Sequence, residues 1–245
     1  MVLIDGLTKR YGTTLAVDHI SFDVAAGDIL ALVGPNGAGK TTALKLMVGL
    51  LAPTEGRILI GGHDVQLQPT DAKRLLSFVP DQPFVYESLT IIEFLGFLAS
   101  VHQMTEAAFW SQTERLLTLF GLWDVRTRRI GHLSYGMKSR VVLVASLLHQ
   151  PRVLIMDEPF FGLDPGTLAI MKRFLREQRT AGTTILLSTH QLNIVEDLAS
   201  RVAVIAAGRV RALGTLDELR HQHGGSNLED LFFQLTGPKI ESVST

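Results

Sequence analysis

Gly34-Pro35-Asn36-Gly37-Ala38-Gly39-Lys40-Thr41-Thr42 has the residue types and spacing to hold a polyphosphate. It fits the phosphate-loop pattern, two glycines around four residues followed by lysine and a hydroxyl residue. Glycines let backbone N–H groups converge on an anion with no Cβ in the way. A helix starting at the end of the loop adds the positive end of its dipole. Lys40 would then reach the β- and γ-phosphates, Thr41 would hold Mg²⁺, and Thr42 would bond the α-phosphate. Phosphoryl transfer also needs a metal ligand and a group that positions the attacking water. Asp157 closes an apolar run and suits a Mg²⁺ ligand, acting directly or through water. Glu158, one residue on, can face the γ-phosphate and polarise water as a general base. His190 closes another apolar run that can neighbour the phosphate loop. Together these residues point to a nucleoside-triphosphate site.

The elements around them alternate. Asp28 to Val33 is short and apolar, as a strand buried on both faces should be, and Thr42 to Leu50 reads as an amphipathic helix. Upstream, Val2 to Ile4 and His19 to Val24 are strand-like, with Tyr11-Gly12 at a turn between them. An aromatic at Tyr11 can stack on a nucleotide base or close a small sheet, and spacing alone does not choose. Arg57 to Ile60 and Leu75 to Val79 are further strands, the second leading into Pro80-Asp81-Gln82-Pro83. Helical patterns then take over, from Leu89-Thr90 through Val101, Thr105 to Phe120, and Tyr135 to Gln150. The basic run Arg126-Thr127-Arg128-Arg129 between the last two reads as a solvated or headgroup-facing surface. Arg152 to Met156 resumes the α/β pattern, followed by a helix over 165–181, a strand from Thr183 to Ser188, a helix from Leu192 to Ala199 and a strand from Arg201 to Ile205. Such alternation implies a mostly parallel sheet with its ligand at the C-terminal strand ends. The phosphate loop, Asp157-Glu158 and His190 all fall at such ends.

A length of 245 residues suits one large domain or a core with an inserted subdomain, and 46% hydrophobic residues support a sizeable core. The net charge of −1 argues against nonspecific nucleic-acid binding, which draws on a basic surplus. The absence of cysteine removes disulfides, thiol catalysis and cysteine-based zinc sites, and suits a cytosolic protein. Met1-Val2-Leu3-Ile4-Asp5 meets charge too early for a signal peptide. The apolar run Val141 to Leu148 is far short of the roughly 20 residues that span a membrane, so the chain is expected not to cross a bilayer alone. A mean hydropathy of +0.24 is high for a soluble protein and suggests apolar surface reserved for a partner.

Gly34 to Thr42, Leu133-Ser134-Tyr135-Gly136-Met137, Leu154 to Pro159, Gly162-Leu163-Asp164-Pro165 and Ser188-Thr189-His190 come in the order and spacing of ABC-type ATPases. The chain resembles that family from Tyr11 to its tail. The resemblance implies an α/β fold: a P-loop ABC-ATPase core with a parallel sheet, a small N-terminal antiparallel β-subdomain and an inserted all-helical subdomain. One domain over 1–245 is expected, with the core at 1–87 and 151–220, the helical part at 88–150 and a tail helix over 221–245. By the same resemblance Tyr11 stacks on the base, Leu133 to Met137 is the signature motif, Asp164 belongs to a loop coupling two sites, and His190 is the switch histidine. Independently of the family, Ser134 reads as an N-cap with Tyr135 and Gly136 opening a long helix, whose free N–H groups form an anion site. In the family that helix end meets the γ-phosphate held by a second ATPase copy, so two ATP are sandwiched in a head-to-tail dimer. ATP is favoured over GTP because no Asn-Lys-x-Asp motif is present.

The chain departs from the family pattern in three places. Tyr135 replaces a glycine and Met137 a glutamine of the signature, while Ser134 and Gly136 remain. The position after Pro80, usually a glutamine that bonds Mg²⁺ and the attacking water, is Asp81, with Gln82 one step later. Asp81 is expected to substitute, with Gln82 as second choice; a carboxylate accepts from water but cannot donate as an amide does. Phe161 is bulky where small residues are usual. Pro80 to Tyr86, the Tyr-Gly-Met signature and the tail Leu228 to Gly237 look like the ATPases of two-component ABC exporters. The implied function is an ATP-hydrolysing motor at the cytoplasmic face of a membrane, bound peripherally to a separate integral-membrane permease through the helical subdomain and the Phe84 to Tyr86 region. Those aromatics equally fit a helical core, and the tail fits packing or dimer contact. The alternatives are a soluble ABC ATPase acting on nucleic acid or ribosomes, which near-neutral charge disfavours, and a nucleotide-sensing regulator, against which Lys40, Asp157, Glu158 and His190 argue together.

Overall fold

In the computed structural model, which describes residues 1–223 and 228–237, the chain opens with a hairpin of β1 (Val2–Tyr11) and β2 (Thr14–Val24). These strands run further than the short apolar runs predict. Their register shifts after Ile4, after Leu7 and after Lys9, so the alternation that marks a regular strand is legible only at one end. β3 (Ile29–Val33) follows, fully buried, then the phosphate loop and α1 (Lys40–Met47). Next come β4 (Glu55–Ile60) and the short β5 (His63–Asp64). α2 (Pro69–Leu75) was not predicted; only Ala72 of it is buried, too little to leave a helical stripe in the sequence. β6 (Leu76–Val79) leads into residues 80–90.

Helices then fill the chain up to residue 147. α3 (Ile91–Val101) starts on a capping box of Thr90 and Glu93, and α4 (Glu106–Leu119) on a Thr105 cap. α5 (Tyr135–Leu147) starts on Ser134 and stops before the expected Gln150, which has φ +54. β7 (Val153–Asp157), α6 (Pro165–Thr180), β8 (Thr184–Ser188), α7 (Leu192–Leu198) and β9 (Arg201–Ala206) follow. β10 (Arg209–Gly214), an edge strand, was missed because arginines hold two of its alternate positions. In place of one tail helix over 221–245 the chain forms α8 (Leu216–His223) and α9 (Leu228–Thr236); residues 224–227 and 238–245 lie outside the described residues.

The first sheet is antiparallel, in the order β2-β1-β4-β5. The second runs β10-β9-β3-β8-β7-β6 and is parallel except for β10. Alternation along β3 divides the interior: Ile29, Ala31 and Val33 face a core shared with α3, α4 and α5, while Leu30 and Leu32 face one shared with α1 and the antiparallel sheet. β8 lies between β3 and β7. The phosphate loop, Ser188 and Asp157 therefore end three neighbouring strands on one rim.

Candidate functional site

The glycines of the phosphate loop serve different ends. A Cβ on Gly34 would collide with the carbonyl oxygen of Ile205 on β9. One on Gly39, at φ +102, would collide with the carbonyl oxygen of Ala16 on β2. Both let the loop approach neighbouring backbone. A Cβ on Gly37, at φ +77, would meet nothing within 4 Å, so this glycine shapes the open side of the cradle. Asn36 is exposed at the crest and Ala38 is buried, its carbonyl accepting from Gly208 N–H at 3.0 Å. Gly208 in turn accepts from Asp18 N–H at 2.9 Å, which ties the β1–β2 hairpin to the loop. Tyr11 stands half-exposed at the tip of that hairpin, with Lys9 Nζ 5.2 Å from its ring centre.

Lys40 is buried and its ammonium donates to the carbonyls of Gly34 at 2.7 Å and Pro35 at 3.1 Å. Burial lowers its pKa, and the nearby Glu158 and Asp157 oppose that shift. Thr41 and Thr42 lie half-buried on the first turn of α1.

Asp157 pairs with Ser188 across the β7–β8 ladder. Ser188 donates its hydroxyl hydrogen to Asp157 Oδ1, while Oδ2 is buried with no hydrogen-bond partner among the described residues. The main chain of Glu158 donates to Ser188, 3.1 Å to the carbonyl and 3.2 Å to the hydroxyl oxygen. Glu158 is itself held at φ +47, a conformation costly for a residue with a Cβ and common at functional sites. The largely exposed His190 brings Nδ1 to 3.0 Å from Glu158 Oε2. The contact is out of line for a hydrogen bond, and Oε2 keeps no hydrogen-bond partner among the described residues.

Asp81 and Gln82 are both exposed, but only Asp81 lines the cleft that Glu158, Pro159 and Phe161 also line. Its volume is about 30 Å³. Ser134 caps α5 through Met137 N–H at 3.3 Å, and Gly136 packs near the carbonyl of Gly162. Asp164 caps α6, accepting from Thr167 N–H at 2.9 Å and Thr167 Oγ1 at 2.6 Å; those bonds hold its carboxyl below the usual carboxylate range. Among the described residues no hydrogen bond or ion pair joins Ser134, Gly136 or Asp164 to residues 34–42. Phe84 is 85% exposed beside a groove that Phe78, Phe94, Leu98, His102 and His149 also line. Tyr86 lies edge-on to Phe94 and Phe97. Sequence reasoning missed the structural parts of Ser188, Ala16 and Gly208. The alternation of β7 and β8 gives no sign of which strand will lie beside which.

The donor chemistry fits a triphosphate with a divalent cation: an open glycine cradle, a lysine beside it, and an orphaned carboxylate oxygen on Asp157. A phosphate loop after a central parallel strand, with an acid pair ending a strand of the same sheet, defines a P-loop nucleoside triphosphatase. Residues 17–161 match the family model described as ABC transporter. Daunorubicin resistance ATP-binding protein DrrA3 of Streptomyces coeruleorubidus is 36% identical over 228 residues, covering 93% of this chain and 72% of the relative. ABC-type transporter ATP-binding protein EcsA of Bacillus subtilis (strain 168) is 32% identical, covering 96% of each. A solved structure of an ATP binding subunit of an ABC transporter superposes with a TM-score of 0.92 at 35% identity, over 96% of this chain and 99% of the other. The chain belongs to the ABC transporter family and is an ATP-binding ATPase of it.

Proposed function

We propose that this chain is the motor subunit of an ABC exporter, in which ATP-driven closure and opening of a head-to-tail pair moves a separate membrane-spanning partner. The observation that carries the reading is the rim itself: the phosphate loop with Lys40, Asp157 on Ser188, and Glu158 in contact with His190. Backbone N–H groups of 34–42 and Lys40 bind and orient the triphosphate, with Tyr11 beneath its base and Thr42 at the α-phosphate. Thr41 and Asp157, with Asp81 at the edge, would hold Mg²⁺, which when bound neutralises phosphate charge. The Glu158 carboxylate takes the proton of a water as its oxygen bonds to the γ-phosphorus and the bond to the bridging oxygen breaks. His190 fixes that carboxylate and faces the γ-phosphate. Asp81, with Gln82 as second choice, positions the water.

Ser134 and Gly136, at the start of α5, present N–H groups to the γ-phosphate of the second copy, and Asp164 belongs to the loop between the two sites. The surface of α3 to α5 and the Phe84–Tyr86 segment receives the permease at the cytoplasmic face. No helix among the described residues is long and apolar enough to cross a membrane. Export is supported by the drug-resistance names of relatives such as DrrA3. Gentle detergent extraction of membranes carrying the tagged full chain tests the reading. A stoichiometric polytopic partner is expected; a soluble fraction carrying ribosomes, nucleic acid or nothing would contradict it.

A further inference from the structure

Asp81, Tyr135 and Phe161 lie far apart in sequence but gather at one place in the fold. Asp81 and Phe161 line the cleft at Glu158. Tyr135, in the first turn of α5, donates its phenol hydrogen to the main-chain oxygen of Asp81 at 3.4 Å. Its ring covers Gly162, next to Phe161, where a Cβ would come within 3.3 Å of Tyr135 Cε1. One side chain thus touches the segment after β6, the start of α5 and the loop after Glu158.

The segment after β6 has little else to hold it. Among the described residues, the phenol bond of Tyr135 is the only hydrogen bond that reaches residues 80–85. Asp81 and Gln82 are exposed and are flanked by Pro80 and Pro83, which lack backbone donors. The cleft of about 30 Å³ that Asp81 and Glu158 both line has room for about one or two waters. The side chain of an aspartate is short, so the reach of Asp81 depends on where its backbone is pinned.

We propose that Tyr135 is a positioning residue that pins Asp81 at the cleft beside Glu158, so that Asp81 orders the water Glu158 activates. This rests on the role given to Asp81 above. Among the described residues no hydrogen bond joins Tyr135 to residues 34–42, so loss of its hydroxyl is expected to act on turnover and leave ATP binding alone. The bond is long and neutral, and the effect is correspondingly moderate.

The test compares Tyr135→Phe, Asp81→Ala and the double variant in the full chain, reading ATP turnover against ATP concentration and amide exchange of residues 81–85. Tyr135→Phe keeps the ring and removes only the hydroxyl. It is expected to lower kcat about three- to tenfold with KM unchanged, and to speed exchange of the segment. In the Asp81→Ala background it is expected to change kcat no further, because the carboxylate it positions is gone. Unchanged kcat and exchange in Tyr135→Phe, or losses that multiply in the double variant, overturn the proposal. If Asp81→Ala alone keeps full turnover, the role of Asp81 has failed and this proposal with it. If Asp81→Ala loses turnover and Tyr135→Phe does not, the pinning alone has failed.

Discussion

Ser188 joins the two acidic residues of the site: its hydroxyl hydrogen goes to Asp157 Oδ1, and its hydroxyl oxygen faces the main-chain nitrogen of Glu158 at 3.2 Å. The link follows from topology. β8 sits between the strand feeding the phosphate loop and the strand ending in Asp157, and its register places Ser188 opposite Asp157. One buried hydroxyl thereby orients a carboxylate whose other oxygen is buried with no hydrogen-bond partner among the described residues, and donor contact from the Glu158 main chain steadies that residue in its left-handed conformation.

Ser188→Ala should therefore leave Asp157 Oδ1 buried without its donor. Chemical denaturation is expected to show a loss of about 1–3 kcal/mol. ATP turnover should fall as well, since the orientation of both acids is loosened. Unchanged stability would mean that the hydroxyl contributes nothing to holding them.

The three loop glycines should separate by cause. Gly34→Ala and Gly39→Ala each drive a Cβ into backbone, at Ile205 and Ala16, so both should displace the loop and lose nucleotide binding. Gly37→Ala meets open space and costs about 1 kcal/mol of backbone strain from its positive φ. Titration with a fluorescent ATP analogue checks this, and equal losses at all three positions would contradict it.

Much of the site was legible before the fold. The loop, Asp157, Glu158 and His190 were readable because each closes an apolar run, and such runs become parallel strands whose C-terminal ends share a rim. Ser188 was readable as a strand end but not as a partner of Asp157, because strand order is set by packing between distant segments. In the sequence the loop glycines speak only for phosphate approach. Contacts of Gly34 and Gly39 with β9 and β2 involve backbone from distant stretches, on which composition and spacing carry no information. Short elements were lost for a different reason: α2 buries one residue and β10 lies at an edge, so neither leaves a strong apolar period.

Acid stability should carry the mark of His149. Its ring stacks on His102 at 3.7 Å, and burial, with His102 adding to it, pushes its pKa down to about 4 while the Leu76 carbonyl opposes the shift. The folded protein therefore keeps His149 neutral where the unfolded chain, near 6.5, takes up a proton. Its contribution is fully present above about pH 6.5, falls as pH drops toward 4, and totals about 3 kcal/mol. His149→Phe should flatten the stability profile between those limits. A profile as steep as that of the unaltered protein would remove His149 as the cause.

The reading of the rim as an ATP-hydrolysing site rests most directly on Glu158. Steady-state ATP turnover of the full chain before and after Glu158→Gln is the measurement that bears on it. The substitution keeps the shape of the side chain and removes its ability to take a proton. Turnover is expected to fall at least about a hundredfold with nucleotide binding retained. Equal rates would contradict the account, because no other carboxylate would then be assigned to activate the water.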